Sequence, residues 1–160
     1  MSFDFVRGKA CFTLNYQTWW AFSMLAVGGG WEPTGTGPPR GVPAKTWPGA
    51  YLANDGQLLY AWDSRRLADT LEKVIAAPSF SALHLDGSRI QRWLHSPAGR
   101  RDLRVYRSFE KVMRLLNTSG SRKKKRHALN GNQPWFLGKD AKSCLRDFVK
   151  FCRGGSFRIY

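Results

Sequence analysis

The sequence contains no long apolar run. Its 160 residues include no uncharged apolar stretch of about 18 residues, the length at which a membrane span is expected. The most apolar segment, residues 19–27, is about half that length. The first residues also lack the basic start and apolar core of a secretion signal. We therefore expect no membrane span and a cytoplasmic location.

Cysteine is scarce. The three cysteines, Cys11, Cys144 and Cys152, are an odd number in a chain for which no secretion signal is expected. This usage is typical of reduced thiols rather than of a disulfide framework. Cys144 and Cys152 fall on one face of a predicted helix, about 12 Å apart along its axis, which is too far for both to bind one ion. The sequence therefore predicts neither a metal site nor any other cofactor.

Acidic residues are scarce in the second half of the chain. Residues 1–88 include seven basic and seven acidic residues, whereas residues 89–160 include 19 basic and four acidic ones. The second half thus carries the whole net charge of +15. A neutral body joined to a strongly cationic face is typical of a protein that meets a polyanion.

The basic residues of the second half form three groups. The first falls within roughly one third of the circumference of a helix predicted from about residue 99 to residue 116: Arg100, Arg104, Arg107, Lys111 and Arg114. The second lies on a helix predicted from about residue 141 to residue 152: Lys142, Arg146, Lys150 and Arg153. The third, here called the basic run, lies between the two helices: Arg122, Lys123, Lys124, Lys125 and Arg126. Each helical group lies opposite an apolar face, so both are expected at the surface.

These groups predict nucleic-acid binding, DNA or RNA. A face that only meets solvent commonly mixes both signs of charge, whereas these helix faces have almost no Asp or Glu. Phosphate is the expected anion, because Arg dominates the first group and pairs with phosphate through two parallel hydrogen bonds. The basic run is expected to be a flexible arm that adds affinity for any sequence. No helix-turn-helix, zinc-finger, RNA-recognition or KH motif is present, so readout of a particular base sequence is not predicted.

Two other functions stay open. One is a protein-interaction module, such as an inhibitor or immunity-type protein, that docks on an acidic partner protein. The other is a small basic ribonuclease, which needs a general acid and a general base beside a cationic pocket. His84 or His95, with Arg89, Arg92 or Arg100, supplies the residue types, but their spacing defines no site. The sequence favours a protein that is not an enzyme.

The order of patterns predicts an α+β fold, with a small antiparallel or mixed sheet packed against three to four helices. We expect a single domain over residues 1–160, with a Gly/Pro-rich loop at residues 28–50 and a flexible basic loop at residues 118–138. Alternating apolar residues predict strands near both ends of the chain. Residues 79–99 are expected to include a strand near residues 81–85 and a short helix near residues 88–94.

Turn and cap signals predict where the other elements begin. Asn15 is a predicted N-cap for an apolar, buried helix that ends at a run of three glycines. Residues 51–60 are expected to form a hairpin around an Asp-Gly turn. Asp63 or Ser64 is the predicted cap of the next helix, and Asp140 that of the last one.

Tryptophan is abundant, with seven residues. Trp31, Trp47 and Trp135 lie in Gly/Pro-rich stretches and are candidates for stacking on unpaired bases. Burial in the core or anchoring of a loop is the favoured role for all of them, because large aromatic side chains bury the most apolar area.

Three stretches carry a resemblance. They are GWEPTGT at residues 30–36, NDGQ at residues 54–57 followed by Asp63 and LADTL at residues 67–71, and FVKFCRGGSFRIY at residues 148–160. Together they resemble small bacterial proteins of uncharacterised function. These stretches make up about a fifth of the chain, and the resemblance implies no activity. The basic run lies outside it, so we expect the run to be a feature of this protein rather than of a shared scaffold.

Overall fold

The computed structural model describes residues 2–77, 85–104 and 139–160. Strands β1 (Ser2–Arg7) and β2 (Ala10–Asn15) lead into helix α1 (Tyr16–Gly28), and a long loop with one 3-10 turn (Ala44–Thr46) follows. The remaining described elements are β3 (Gln57–Leu59), α2 (Ala61–Ala76), α3 (Gly87–His95), α4 (Pro97–Arg104), α5 (Lys139–Arg153) and β4 (Phe157–Ile159). No helix within these residues is both long enough and apolar enough to cross a membrane.

The strands form one antiparallel sheet in the order β2-β1-β4-β3. β1 pairs with β2 along its whole length, from Ser2 opposite Asn15 to Arg7 opposite Ala10. The C-terminal strand β4 lies between β1 and β3, with Ile159 opposite residues of both. The described helices pack on this sheet and on one another, which confirms the predicted α+β class.

Helix α1 is buried, as its apolar sequence predicts. Asn15 caps it, because its side-chain oxygen accepts a hydrogen bond from the Thr18 backbone N–H at 2.8 Å. Trp19, Trp20 and Phe22 are at most 1% exposed. A helix with large apolar side chains on nearly every side is stable only when other elements surround it, and here the sheet and α2, α3 and α5 do so.

An aromatic cluster around Phe148 of α5 joins the sheet to α1. The Phe148 ring centroid lies 5.2 Å from that of Phe5 in β1, and 5.6 and 5.8 Å from those of Trp19 and Phe22 in α1. Phe5 and Trp19 also meet edge to face at 5.1 Å. Aromatic pairs at these distances stabilise by about 0.5–1.5 kcal/mol beyond their buried area. The cluster therefore fixes how α5 and β1 pack against α1.

The predicted hairpin over residues 51–60 is wrong. Gln57–Leu59 does form a strand, but it pairs with β4 instead of folding back on the residues before it, of which Tyr51 and Leu52 are buried in the core. Gly56 adopts a φ of +84°, and its N–H donates to the Ile159 carbonyl at 2.7 Å. A Cβ at Gly56 would lie 2.8 Å from the Tyr160 ring. The Asp-Gly pair thus serves a contact with the C-terminal strand and not a hairpin between paired strands.

The predicted caps at α2 and α5 are also wrong. α2 begins at Ala61, and Tyr60 precedes it without a capping side chain. Asp63 and Ser64 lie inside the first turn and are fully buried. Asp63 accepts hydrogen bonds from the loop after α1, and Ser64 donates to the backbone of α5. Asp140 is the second residue of α5 and so lies within the helix.

Several predictions fall outside the described residues. The helix predicted over residues 99–116 begins at Pro97 and is described up to Arg104, and its remainder lies outside. Residues 81–84 of the predicted strand and the basic loop at residues 118–138 lie outside as well. The short helix expected near residues 88–94 is confirmed as α3.

Candidate nucleic-acid interface

Helix α5 carries three basic residues on its outer side, here called the α5 face: Lys142, Arg146 and Lys150. Its opposite side is buried in the core and consists of Leu145, Phe148, Val149 and Cys152. Lys142 is partly exposed, and Arg146 and Lys150 are exposed. The Lys150 ammonium lies 3.5 Å from Asp147, whereas Lys142 and Arg146 have no ion-pair partner among the described residues.

Arg153, the fourth residue of the predicted group, is engaged within the protein. Its guanidinium lies 2.5 Å from Asp69 and 2.6 Å from Glu72, both on α2. Beside this contact, the Ser64 hydroxyl donates to the Cys152 carbonyl at 2.7 Å. Exposed ion pairs contribute about 0–1 kcal/mol each. The contacts nevertheless balance the charge of Arg153, so we do not group it with the α5 face.

Arg92 on α3 and Arg100 on α4 are two further basic residues, here called the basic surface of α3 and α4. Both side chains are exposed, and the Arg100 Nε donates to the His95 carbonyl at 2.9 Å. A carbonyl holds the guanidinium in place without cancelling its charge. Arg104, also of the first predicted group, is the last described residue of α4.

The remaining residues of that group lie outside the described residues: Arg107, Lys111 and Arg114. The basic run lies outside them as well: Arg122, Lys123, Lys124, Lys125 and Arg126.

Arg89 is already paired with carboxylates. Asp86 caps α3 by accepting from the Ser88 backbone N–H at 2.8 Å, and hydrogen bonding, first from the Ser88 hydroxyl, lowers the pKa of Asp86. The Arg89 guanidinium lies 3.4 Å from Asp86 and 3.2 Å from Glu32. Arg89 therefore holds α3 against the loop after α1.

A cleft of about 370 Å³ lies between α1, α3 and this loop. Its lining residues are Val27, Trp31, Glu32, Pro33, Arg89, Arg92, Trp93 and Ser96. None of the described residues that line it is a histidine, the residue type that the ribonuclease interpretation names. His95 is exposed at the end of α3, and His84 and His127 lie outside the described residues.

The cysteines are placed as core or surface thiols. Cys152 is fully buried, and burial raises the pKa of its thiol. Burial, and then Asp147, also raises the pKa of Cys144, while Cys11 is exposed on the edge strand β2. Within the described residues, no group of three or more His, Cys, Asp or Glu side chains is arranged to hold a metal ion.

Asp63 is the centre of a buried hydrogen-bond network. Its carboxylate accepts from the Trp31 indole N–H at 2.8 Å and from the Tyr51 hydroxyl at 2.5 Å. The Tyr51 hydroxyl in turn accepts from the Gly35 N–H at 2.8 Å. Burial raises the pKa of Asp63, and the two hydrogen bonds and nearby Arg66 oppose that rise. The network anchors the loop after α1 on α2.

The tryptophans named as stacking candidates have structural roles in the described part of the chain. Trp31 is 1% exposed and donates to Asp63, so its ring is closed to a base. Trp47 is partly buried, and its indole N–H donates to the Thr36 hydroxyl at 3.1 Å. Trp135 lies outside the described residues.

Sequence reasoning missed an exposed aromatic pair, Tyr60 and Trp62, at the start of α2. Their rings are nearly parallel, with an angle of 9° between planes and 6.5 Å between centroids. The helical period could have shown this exposure, because Trp62 shares a side of α2 with Arg65, Arg66 and Asp69 at spacings of three, four and seven.

The stretches that carry the resemblance meet in the structure. Trp31 of the first binds Asp63 of the second, and Gly56 of the second binds Ile159 of the third. These stretches therefore contact one another within one fold. No protein-family model matches the chain, and no match was found among curated proteins or solved structures. The resemblance stays a prediction.

Proposed function

We propose that this protein binds nucleic acid, without catalysing a reaction, through the α5 face and the basic surface of α3 and α4. The observation that supports this most strongly is the charge pairing. Of the carboxylates on these helices and their caps whose side chains the structure describes, Asp86 is paired with Arg89 and Asp147 with Lys150. On these two surfaces, four basic side chains have no acidic partner among the described residues: Arg92, Arg100, Lys142 and Arg146.

The spacing of the α5 face adds to the argument. Lys142, Arg146 and Lys150 follow one another at intervals of four, so like charges lie on adjacent helical turns. Such pairs cost about 0.2–0.5 kcal/mol each in an isolated helix. A row of phosphates would relieve that repulsion and release its own bound counterions. Affinity should therefore fall steeply as salt is added.

A salt titration tests the proposal. Fluorescence anisotropy with a labelled duplex and a labelled single strand of arbitrary sequence should show micromolar binding at about 50 mM salt, and the logarithm of affinity should fall linearly with the logarithm of salt concentration. Absence of binding to both ligands at this salt concentration would refute the proposal. An acidic partner protein would then be the better hypothesis.

A charge-matched comparison tests the surface itself. In the first variant, Lys142, Arg146 and Lys150 are replaced by Gln. In the control, Lys9, Lys45 and Lys73, which are exposed and belong to the neutral half, are replaced by Gln. The first variant should lower the salt slope by about two to three, about one for each phosphate that is no longer neutralised, and the control by less than about one. Equal effects would mean that net charge alone drives binding.

A further inference from the structure

The Tyr60 and Trp62 side chains form the largest exposed aromatic surface of the described residues. Trp62 is 47% exposed and Tyr60 is 38% exposed. The other large hydrophobic side chains that are exposed there are single residues elsewhere, Val42 and Tyr160. A tryptophan with half of its surface in water, and with a second ring parallel to it, offers a flat apolar face that no described part of the chain covers.

The backbone around the pair holds it in place. The Tyr60 carbonyl accepts the Ser64 N–H at 2.9 Å, so the first turn of α2 fixes the residue. On the other side, Gly37 bridges to Leu58 through two backbone hydrogen bonds of 2.8 and 3.0 Å. A Cβ at Gly37 would lie 2.6 Å from the Tyr60 hydroxyl, so the absence of a side chain there makes room for the Tyr60 ring.

Two arginines accompany the aromatic pair. Arg65 and Arg66 lie three and four residues after Trp62, on the same side of α2. Arg66 contacts exposed Glu32 only at 3.8 Å, and Arg65 has no ion-pair partner among the described residues. An unpaired nucleotide offers the flat face of its base and a phosphate. An exposed ring can stack on the base, and guanidinium groups beside the ring can bind the phosphate. Bases in a duplex are stacked on one another and do not offer that face.

We infer that Trp62, supported by Tyr60, is a stacking platform for unpaired bases, with Arg65 and Arg66 contacting the adjoining phosphates. This inference rests on the proposed function and narrows it, because it makes single-stranded nucleic acid the preferred ligand. The platform adds stacking to the charge-driven binding of the α5 face, which does not distinguish single strands from duplexes.

The test compares single-stranded and duplex ligands on the same variants. Binding of a labelled oligothymidylate of about 12 nucleotides and of a duplex of equal length is measured by anisotropy at one salt concentration. Trp62→Ala should weaken single-strand binding about tenfold or more, and duplex binding less than about twofold. Trp62→Phe, which keeps a ring, should recover most of the affinity. Tyr160→Ala removes another exposed aromatic ring, 45% exposed, and should change neither affinity.

Each outcome decides between the two ideas. Wild-type protein that binds neither ligand refutes the proposed function and this inference with it. If duplex binding is intact and Trp62→Ala leaves single-strand affinity unchanged, the platform is refuted while the proposed function stands, and the patch becomes a candidate contact for a protein partner. Equal losses on both ligands would also refute base stacking. Far-UV circular dichroism and a urea midpoint for each variant show whether the fold is intact.

Discussion

Asp63 shows how one residue can hold a loop that has little regular structure. It is fully buried, and its two oxygens accept from side chains of the long loop between α1 and β3. Asp63→Ala would leave the Trp31 indole N–H and the Tyr51 hydroxyl without this acceptor. We expect it to lower the free energy of unfolding by about 3 kcal/mol or more, and Asp63→Asn by about 1–2 kcal/mol, since Asn keeps one acceptor oxygen.

The ionisation of Asp63 should make stability depend on pH. Burial is the largest influence on its pKa and raises it above the ordinary value of about 3.9. A raised pKa in the folded state favours the protonated form. The contribution of Asp63 to stability is therefore fully present below about pH 4 and is lost as the pH rises through the folded-state pKa.

Urea denaturation at a series of pH values measures this contribution. The unfolding free energy of the wild type minus that of Asp63→Asn should decrease from about pH 4 upward and then level off. The difference between the two proteins removes the contributions of all other groups, which are common to both. If this free-energy difference instead increased with pH, the two hydrogen bonds would stabilise the ionised carboxylate by more than burial destabilises it.

At the scale of elements, the C-terminus of α5 depends on a residue from β1. An Nη of Arg7 donates to the Phe151 carbonyl, and the guanidinium carbon lies 4.6 Å from the centre of the Phe151 ring. A cation at a helix C-terminus is stabilised by the helix dipole. A Cβ at Gly154 would collide with the guanidinium, so this glycine makes the contact possible.

A double-mutant cycle tests the link between Arg7 and Gly154. Arg7→Ala should cost about 1–2 kcal/mol, because it removes the dipole, ring and carbonyl contacts together. Gly154→Ala should cost a similar amount by displacing Arg7, and the double variant should cost much less than the sum, as measured by urea denaturation.

Gly155→Ala is the matched control. Gly155 has a φ of +108°, so its substitution strains the backbone whether or not Arg7 is present, and its cost should add to that of Arg7→Ala. If Gly154→Ala were additive with Arg7→Ala as well, the glycine would be needed for some reason other than the arginine.

Local signals predicted the elements that local contacts form. The Asn15 cap bonds Thr18, three residues away, and the patterns of α1 and α5 matched the helices observed. The predictions that were wrong concern residues that contact a distant segment of the chain instead of their sequence neighbours. Gln57–Leu59 pairs with the C-terminal strand, and Asp63 serves the loop after α1. The local sequence of an Asp-Gly pair is the same whether it forms a hairpin turn or contacts a distant strand. The same holds for an Asp before an apolar run, which can cap its helix or bind a distant loop.

The candidate surface was predicted in part, for a similar reason. Helical spacing is enough to place Lys142, Arg146 and Lys150 on one outer side. It cannot show that Arg153, one turn further, meets Asp69 and Glu72 of another helix. Which carboxylate a cation pairs with is decided by tertiary structure, so the sequence alone could not show that the charge of Arg153 is balanced within the protein.

At the scale of the whole molecule, the net charge of +15 should itself be measurable in binding. The basic run, Arg122 to Arg126, supplies five of these charges and lies outside the residues that the structure describes. As an electrostatic arm, it should contact phosphates without reading bases. Replacing all five residues by Gln should weaken binding to every sequence by about the same factor.

The salt slope separates an arm from a specific contact. Anisotropy titrations over several salt concentrations, on duplexes of unrelated sequence, should show the slope reduced by up to about five, with the ranking of sequences unchanged. The urea midpoint should not change, because a run of like charges is not expected to stabilise the fold. A loss confined to one sequence would show that the run reads bases, and an unchanged slope would show that the described helical surfaces bind without it.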